Sequence, residues 1–535
     1  SDLGSQSDAL ARRSTKRRPV RQDGQYAEEH NSRCTHETPA FANGPDHITA
    51  AESGSIFSMP AESRRSFLGA LAAAAIPSGR SVRESGAVGD GKTLDTAAIQ
   101  RAIDGCAESG GGYVFFPPGT YLTGTIELRR RVHLSLAPGA VILGSKRLDD
   151  YPRHEASFRS YTDNYTERCL IRAERLSDTG IEGAGSIDGQ GAAFSGGYKL
   201  RPYLLRFVEC SGVTIRGVRL LNSPMWVQHY LACDDVQISG VTVRSRVNGN
   251  NDGIDIDSCR RVRISDCDFS TGDDAICLKS TSSRVCSDVV ISNCVASSHC
   301  NAIKLGTETN GGFRNINVSN CALFDTRLAG VALEIVDGGV LENVVVSGVT
   351  MRDVGGPVFI RLGDRGRPYR EGDPRPPVGK LGGIQIRAIQ ATGASRIGCS
   401  ITGLPGATVT GITLADLSFE FEGGGSAADA SSAPPEIPDA YPEYTMFKTL
   451  PSYGLFCRNV EELAITGARF SYRQPDARPA LILDRARRVR LRDVRAQAAA
   501  TVKAAVLLRD SADVEAKDCE AFGGCLRFLE GTQPA

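Results

Sequence analysis

Val213-Thr-Ile215-Arg-Gly217, Val236-Gln-Ile238-Ser-Gly240, Val262-Arg-Ile264-Ser-Asp266, Val289-Val-Ile291-Ser-Asn293, Ile316-Asn-Val318-Ser-Asn320 and Val344-Val-Val346-Ser-Gly348 are copies of one short phrase. They follow each other at steps of 23, 26, 27, 27 and 28 residues. Within a copy, branched residues alternate with variable ones, which is the period of a half-buried strand. Recurrence at a nearly fixed period of this size marks a solenoid. The chain between copies is too short for a helix in every repeat. Each period is therefore predicted to be one coil of several short strands, stacked on the next at the ~4.8 Å spacing of parallel strands. The expected fold is all-β, a parallel β-helix; a β-propeller would need longer periods and hairpin signals, which are absent. Further copies stand at Ile412–Asp416, Leu463–Gly467, Val489–Asp493 and Val514–Asp518. The pairs Asp266-Cys267, Asn293-Cys294 and Asn320-Cys321 share a phase and are predicted to stack as inward ladders at one corner.

The repeat settles what length alone leaves open. A chain of 535 residues suggests three or four domains on a ~150-residue prior. A solenoid instead lengthens by adding coils, so residues 85–535 are expected to form a single domain. The 62 Lys and Arg balance 62 Asp and Glu, which gives no basic footprint for nucleic acid or an anionic membrane. No apolar run approaches the ~18 residues of a bilayer span. The expected state is a monomer without cofactor. Sixteen cysteines contain no CxxC pair and no His/Cys cluster, so they are expected to be packing residues, with no metal site.

Residues 1–58 are polar and poor in aromatics, the composition of a disordered or mis-called extension. Ser63-Arg64-Arg65-Ser66-Phe67-Leu68, followed by the apolar run Gly69–Ile76, has the form of a twin-arginine export signal. Residues 59–80, starting at Met59, are read as that signal, with a periplasmic or secreted destination.

Asn250-Asn-Asp252-Gly-Ile254 and Gly272-Asp273-Asp274-Ala-Ile276 lie on consecutive coils. Aligned by their isoleucines, Asp252 and Asp274 occupy equivalent places, with Asp273 beside them. Three carboxylates that close repel one another and raise at least one pKa. Glycosidic cleavage uses such a set, one carboxyl protonated and others ionised. Calcium ligation is the competing use of the same oxygens.

These stretches, with Val88–Asp95, Phe116–Tyr121, Gly185–Gly191 and Asn222–Trp226, resemble glycoside hydrolase family 28, the polygalacturonase-like pectin hydrolases. The resemblance implies a right-handed, pectin-lyase-like β-helix. It further implies inverting hydrolysis of a pectic, uronic-acid-containing polysaccharide or oligosaccharide. By the same resemblance Asp273 is the general acid, and Asp252 and Asp274 hold and deprotonate the attacking water. Asn250 belongs to the matching Asn-Asn-Asp, where the family has Thr in the middle.

Two family motifs depart. Cys300-Asn301-Ala302 stands where Gly-His-Gly is expected, with His299 two positions early, and Ala332 and Glu334 replace the Arg and Lys of Arg-Ile-Lys. The missing cations would bind a galacturonate carboxylate, which counts against simple polygalacturonan hydrolysis. Lys304 is predicted to share the strand phase of Glu334 one coil earlier and to be the substrate-facing cation, with Glu334 its partner or the reader of a sugar hydroxyl. Asn301, His299, His229, Trp226 and Arg361 complete the predicted substrate contacts, Trp226 by stacking and Arg361 as a replacement arginine. The insertion Asp364–Gly382 and the loop Gly423–Pro442 are expected to wall the cleft. The competing functions are a polysaccharide lyase and a non-catalytic glycan-binding β-helix.

Overall fold

A computed structural model describes residues 79–159 and 166–531. The expected extension, and the twin-arginine signal up to residue 78, lie outside the described residues. The chain winds into a right-handed parallel β-helix in which strands of successive coils pair in parallel, with three sheets running along the solenoid. The repeated phrase is the first sheet. Val213, Val236, Val262, Val289, Ile316 and Val344 are direct register partners along it. The series continues through Ile384, Ile412, Leu463, Val489 and Val514. All but Val514 are buried in one continuous apolar core. Each branched side chain thus meets its own kind one coil away, which suits the flat inner face of a parallel sheet.

The fifth position of the phrase has a geometric cause. Gly217, Gly240, Asp266, Asn293, Asn320 and Gly348 all take positive φ, between 55° and 73°. The corner after the strand needs a left-handed residue, which Gly, Asn and Asp tolerate best. Ile384-Gln-Ile386-Arg-Ala388 is a copy absent from the sequence-based series, because Ala388 fills the left-handed position (φ 52°) with a residue that gives no turn signal.

One corner expectation is corrected. The cysteines do point inward: Cys267, Cys294 and Cys321 are buried and donate their thiols to the Ser265, Ser292 and Ser319 carbonyls at 3.1, 3.3 and 3.3 Å. The preceding Asp and Asn do not. Asp266 and Asn293 are exposed and bond each other along the outer surface (Nδ2 to Oδ1, 3.2 Å), since the left-handed backbone turns their side chains away from the core. The fifteen described cysteines are all free thiols.

The second sheet includes Thr242–Ser245, Asp268–Thr271 and Val295–Ser298; the third includes Gln228–Leu231, Ile254–Asp257, Ile276–Ser280 and Ile303–Thr309. The helix Thr96–Glu108 lays Ala98, Ile99, Ala102 and Ile103 on the first coils and covers an edge that would otherwise present unpaired backbone. Residues 424–454, which contain only the short helix Ala427–Ala430, fold back onto the third sheet. Two buried arginines hold them there. Arg361 donates to the Glu436 and Ile437 carbonyls at 2.8 and 3.1 Å, and Arg458 to those of Pro434 and Pro435 at 2.5 and 2.9 Å.

Ala388 is exposed, so its conformation can be tested without disturbing packing. Ala388→Asn should stabilise the fold by about 1 kcal/mol by relieving the left-handed strain. A lower melting temperature in scanning calorimetry would contradict the corner geometry.

Candidate active site

The third sheet brings the acidic residues together through its backbone. Val227 N donates to the Asp252 carbonyl (2.9 Å), Gly253 N to Asp274 (2.9 Å) and Ala275 N to Asn301 (2.9 Å). Asp252, Asp274 and Asn301 therefore hold equivalent places on three successive coils, with Asp273 one residue before Asp274. The Asn250–Asp252 turn is pegged by Asn251. Its Oδ1 accepts from Val247 and Asn248 N (3.0 and 2.8 Å), and its Nδ2 donates to the Ser223 and Met225 carbonyls (2.8 and 3.1 Å).

Asp273 and Asp274 are neighbours with different surroundings. Asp274 is buried, which alone would raise its pKa. Lys304 Nζ at 3.2 Å from Oδ2, the more distant Lys279, and two hydrogen bonds from Asn301 to Oδ1 (backbone N 3.0 Å, Nδ2 2.8 Å) overcome burial and hold it below the usual carboxylate range. Asp273 is half-buried; burial and the Asp274 charge push its pKa up, against a weaker pull from Lys304. Thr271 and Ser298 hydroxyls both donate to its carbonyl at 2.6 Å and fix the turn. Asp252 is raised by burial and by the charges of Asp273 and Asp255, and its Oδ1 has no hydrogen-bond partner among the described residues.

A second lysine serves the other flank. Lys279 Nζ lies 3.5 Å from Asp255 Oδ1 and 3.6 Å from Glu308 Oε2, and 4.9 Å from the centre of the Trp226 ring. Arg367 donates to Glu308 at 2.6 Å, and Arg365 pairs with Asp337, so the insertion after residue 364 is tied to this flank. Oxygens of Asp252 and Asp255 lie within 4.8 Å of each other and of Cys277 Sγ, as do those of Asp273 and Asp274 with Cys300 Sγ. Beside these clusters the two ammonium groups supply the positive charge that a bound cation would bring.

The remaining predicted residues divide. Asn301 joins the cluster, bonded to Asp274. Lys304 is there too, but not as predicted. It is register partner of Ala332, whereas Glu334 faces Arg361, so Lys304 and Glu334 are two positions apart in phase. Lys304 is 2% exposed and gives its charge to Asp274, with Glu443 Oε1 at 4.0 Å and the Tyr441 hydroxyl at 3.5 Å. Glu334 is buried, and Gly306 makes its room: a Cβ there would sit 2.8 Å from Glu334 Oε2. Arg361 is likewise buried and engaged with the loop carbonyls. Trp226 is packed against Tyr203 and His229, which corrects the expected stacking on a sugar; His229 is fully buried, 3.5 Å from Asp257 Oδ2. Asn250 accepts from Arg201 (2.8 Å), and exposed His299 bonds Arg246 (2.9 Å).

Sequence reasoning missed Lys279, Asp255, Glu308, Tyr441 and Glu443. Lys279 and Asp255 were within reach, since outward positions alternate after Ile276 and Ile254. Tyr441 and Glu443 come from an aperiodic loop, and no local pattern signals their return to the sheet.

The sequence matches the profile of glycosyl hydrolases family 28 over residues 153–434. Residues 79–147 match a second profile, rhamnogalacturonase A/epimerase, pectate lyase-like. A Vitis vinifera protein named "Probable polygalacturonase" is 30% identical over 387 residues, covering 66% of this chain and 76% of that protein. An exo-poly-alpha-D-galacturonosidase of Dickeya chrysanthemi is 37% identical over 125 residues, 22% of this chain and 20% of that one. Among solved structures, an exopolygalacturonase from Thermotoga maritima superposes with a TM-score of 0.56 at 22% identity, covering 72% of this chain and 91% of that one. A family 28 exopolygalacturonase from Yersinia enterocolitica gives 0.57 at 19%, covering 75% and 76%. At these identities the structures share the fold.

Glu334 carries a pH-dependent cost. Burial, then Glu443 and Asp274, outweigh Lys304 and push its pKa to about 8. The folded state therefore keeps a proton that the unfolded chain loses above its ordinary carboxylate pKa, and stability falls as pH rises from the unfolded value toward 8. Glu334→Gln should raise stability at pH 9 by about 2–4 kcal/mol and leave it nearly unchanged at pH 4. Calorimetric scans at the two pH values check this; an equal effect at both would refute it.

Proposed function

The chain belongs to glycosyl hydrolases family 28 and is an O-glycoside hydrolase of polygalacturonase-like kind, and on that premise we propose that it cleaves pectic polysaccharide or oligosaccharide with inversion, through Asp252, Asp273 and Asp274. The observation that carries this reading is the opposite treatment of two adjacent carboxyls. Burial and the Asp274 charge push the Asp273 pKa up, whereas Lys304 and Asn301 hold that of Asp274 down. Such a divergence is how one site supplies both an acid and a base.

In the proposed step, Asp273 gives its proton to the glycosidic oxygen as the bond to the anomeric carbon breaks. A water between Asp252 and Asp274 attacks that carbon from the opposite face and passes its proton to Asp274. Asp252, buried with an unpartnered oxygen, holds that water. Lys304 is a positioning residue here, acting on the substrate through Asp274.

Asp273→Asn should lower kcat by ~10²-fold or more. Lys304→Met should move the acid limb of the kcat/KM profile to higher pH, because Asp274 loses its strongest cation. Near-normal turnover of the first variant, or an unmoved acid limb in the second, would sink these assignments. NMR of the first-formed anomer tests inversion, and an ultraviolet-absorbing unsaturated product would show a lyase instead.

We also propose export as a folded protein through the Arg64-Arg65 signal, a route compatible with buried free thiols. N-terminal sequencing of the exported protein should find a start beyond Ile76; a start before residue 60 would exclude it.

A further inference from the structure

Among the described cysteines only Cys300 and Cys519 are not buried, and Cys300 stands beside Asp273. Asp274 and Asn301 hold equivalent places on successive coils, so Asp273 and Cys300, one residue earlier in each, are counterparts as well. Ser298 ties the two backbones together. Its hydroxyl donates to the Asp273 carbonyl at 2.6 Å and accepts from Cys300 N at 2.8 Å. The thiol hydrogen-bonds the Asp273 side chain, and Sγ lies within 4.8 Å of a carboxylate oxygen of both Asp273 and Asp274. From the exposed side, Arg327 donates to this sulfur from Nη2 at 3.9 Å and to the His299 carbonyl from Nε at 2.7 Å.

The surroundings give this contact a direction. Burial, then the charges of Asp273 and Asp274, push the Cys300 thiol well up, so the sulfur keeps its proton and donates it in a hydrogen bond. Asp273 Oδ1 also accepts from Asp274 N at 2.9 Å. Otherwise acids press on this carboxyl: Asp274 beside it, Asp252 and Asp255 one coil before, and Glu443 from the loop. Lys304 is the cation that acts on it, and Lys304 is paired with Asp274. A donor to the ionised form of an acid favours that form. The thiol bond therefore strengthens as Asp273 gives up its proton, which is when a catalyst gains from it.

We propose that Cys300 is a positioning residue for the general acid: its S–H orients the Asp273 carboxyl and steadies the carboxylate left when the proton passes to the glycosidic oxygen. The sulfur keeps its own proton throughout, and Arg327 holds the sulfur in place. This rests on the assignment of Asp273 as the acid and adds a residue that acts through it.

Two arms on the full-length protein test the role, and the first needs no substrate. Iodoacetamide labelling of Cys300 at pH 9, read by peptide mass spectrometry, follows its thiolate. Asp273→Asn removes a charge that holds the proton on sulfur and should speed labelling about tenfold, with Cys519 unchanged as the internal control. Equal rates overturn the contact. In the second arm, on pectin-derived oligosaccharides, Cys300→Ala should lower kcat about tenfold with KM little changed. It should also move the basic limb of the kcat profile to higher pH, because Asp273 loses a donor to its charged form, and leave the acid limb in place. Cys300→Ser keeps a donor and should return both kcat and the basic limb toward wild type. A basic limb unmoved in Cys300→Ala, or moved equally in Cys300→Ser, overturns the positioning role and leaves Asp273 as the acid. Near-normal turnover by Asp273→Asn refutes both.

Discussion

One distance governs this molecule: the ~4.8 Å from a side chain to its counterpart one coil away. Inside the solenoid it is an advantage, since a valine or isoleucine meets its own kind and the apolar core runs continuously from coil to coil. Outside it is a constraint, because whatever charge the sequence places at one outward position is set beside the next coil's choice. The family of contacts at the site follows from that stacking. Asp252 and Asp274 cannot separate without breaking the ladder, so their repulsion must be compensated locally or relieved by protonation.

The compensation is asymmetric. Lys304 and Asn301 both act on Asp274, whereas Lys279 is divided between Asp255 and Glu308. Asp274 can therefore stay ionised in a buried place while Asp252, Asp255 and Glu334 favour protons. A charge deep in a protein is tolerated only with such partners, and removing one is more damaging than never having had the pair. The lysines thus set which of the stacked carboxyls is favoured in its charged form.

How much of this was legible in the sequence depends on whether periodicity carried it. The inward columns and the Asp252–Asp274 alignment are properties of a repeating strand and could be counted off. Ala388 escaped because the corner it occupies is a backbone requirement that alanine does not advertise. Lys304 was placed near the right residues but in the wrong phase: its register partner one coil on is Ala332, two residues before Glu334, and a shift of two keeps the outward face while changing the partner. Arg361 looked like a free cation because the loop carbonyls it binds lie far along the chain. Tyr441 and Glu443 belong to contacts of the longest sequence separation, where local pattern is silent.

The clamp formed by Arg361 and Arg458 grips main-chain carbonyls at 434–437, and both guanidiniums lie over the Phe447 ring further along the same segment. Between these anchors the segment carries Tyr441 and Glu443 to Lys304. A substitution in this loop is therefore felt at Asp274 through Lys304, although the chain between them is more than a hundred residues long.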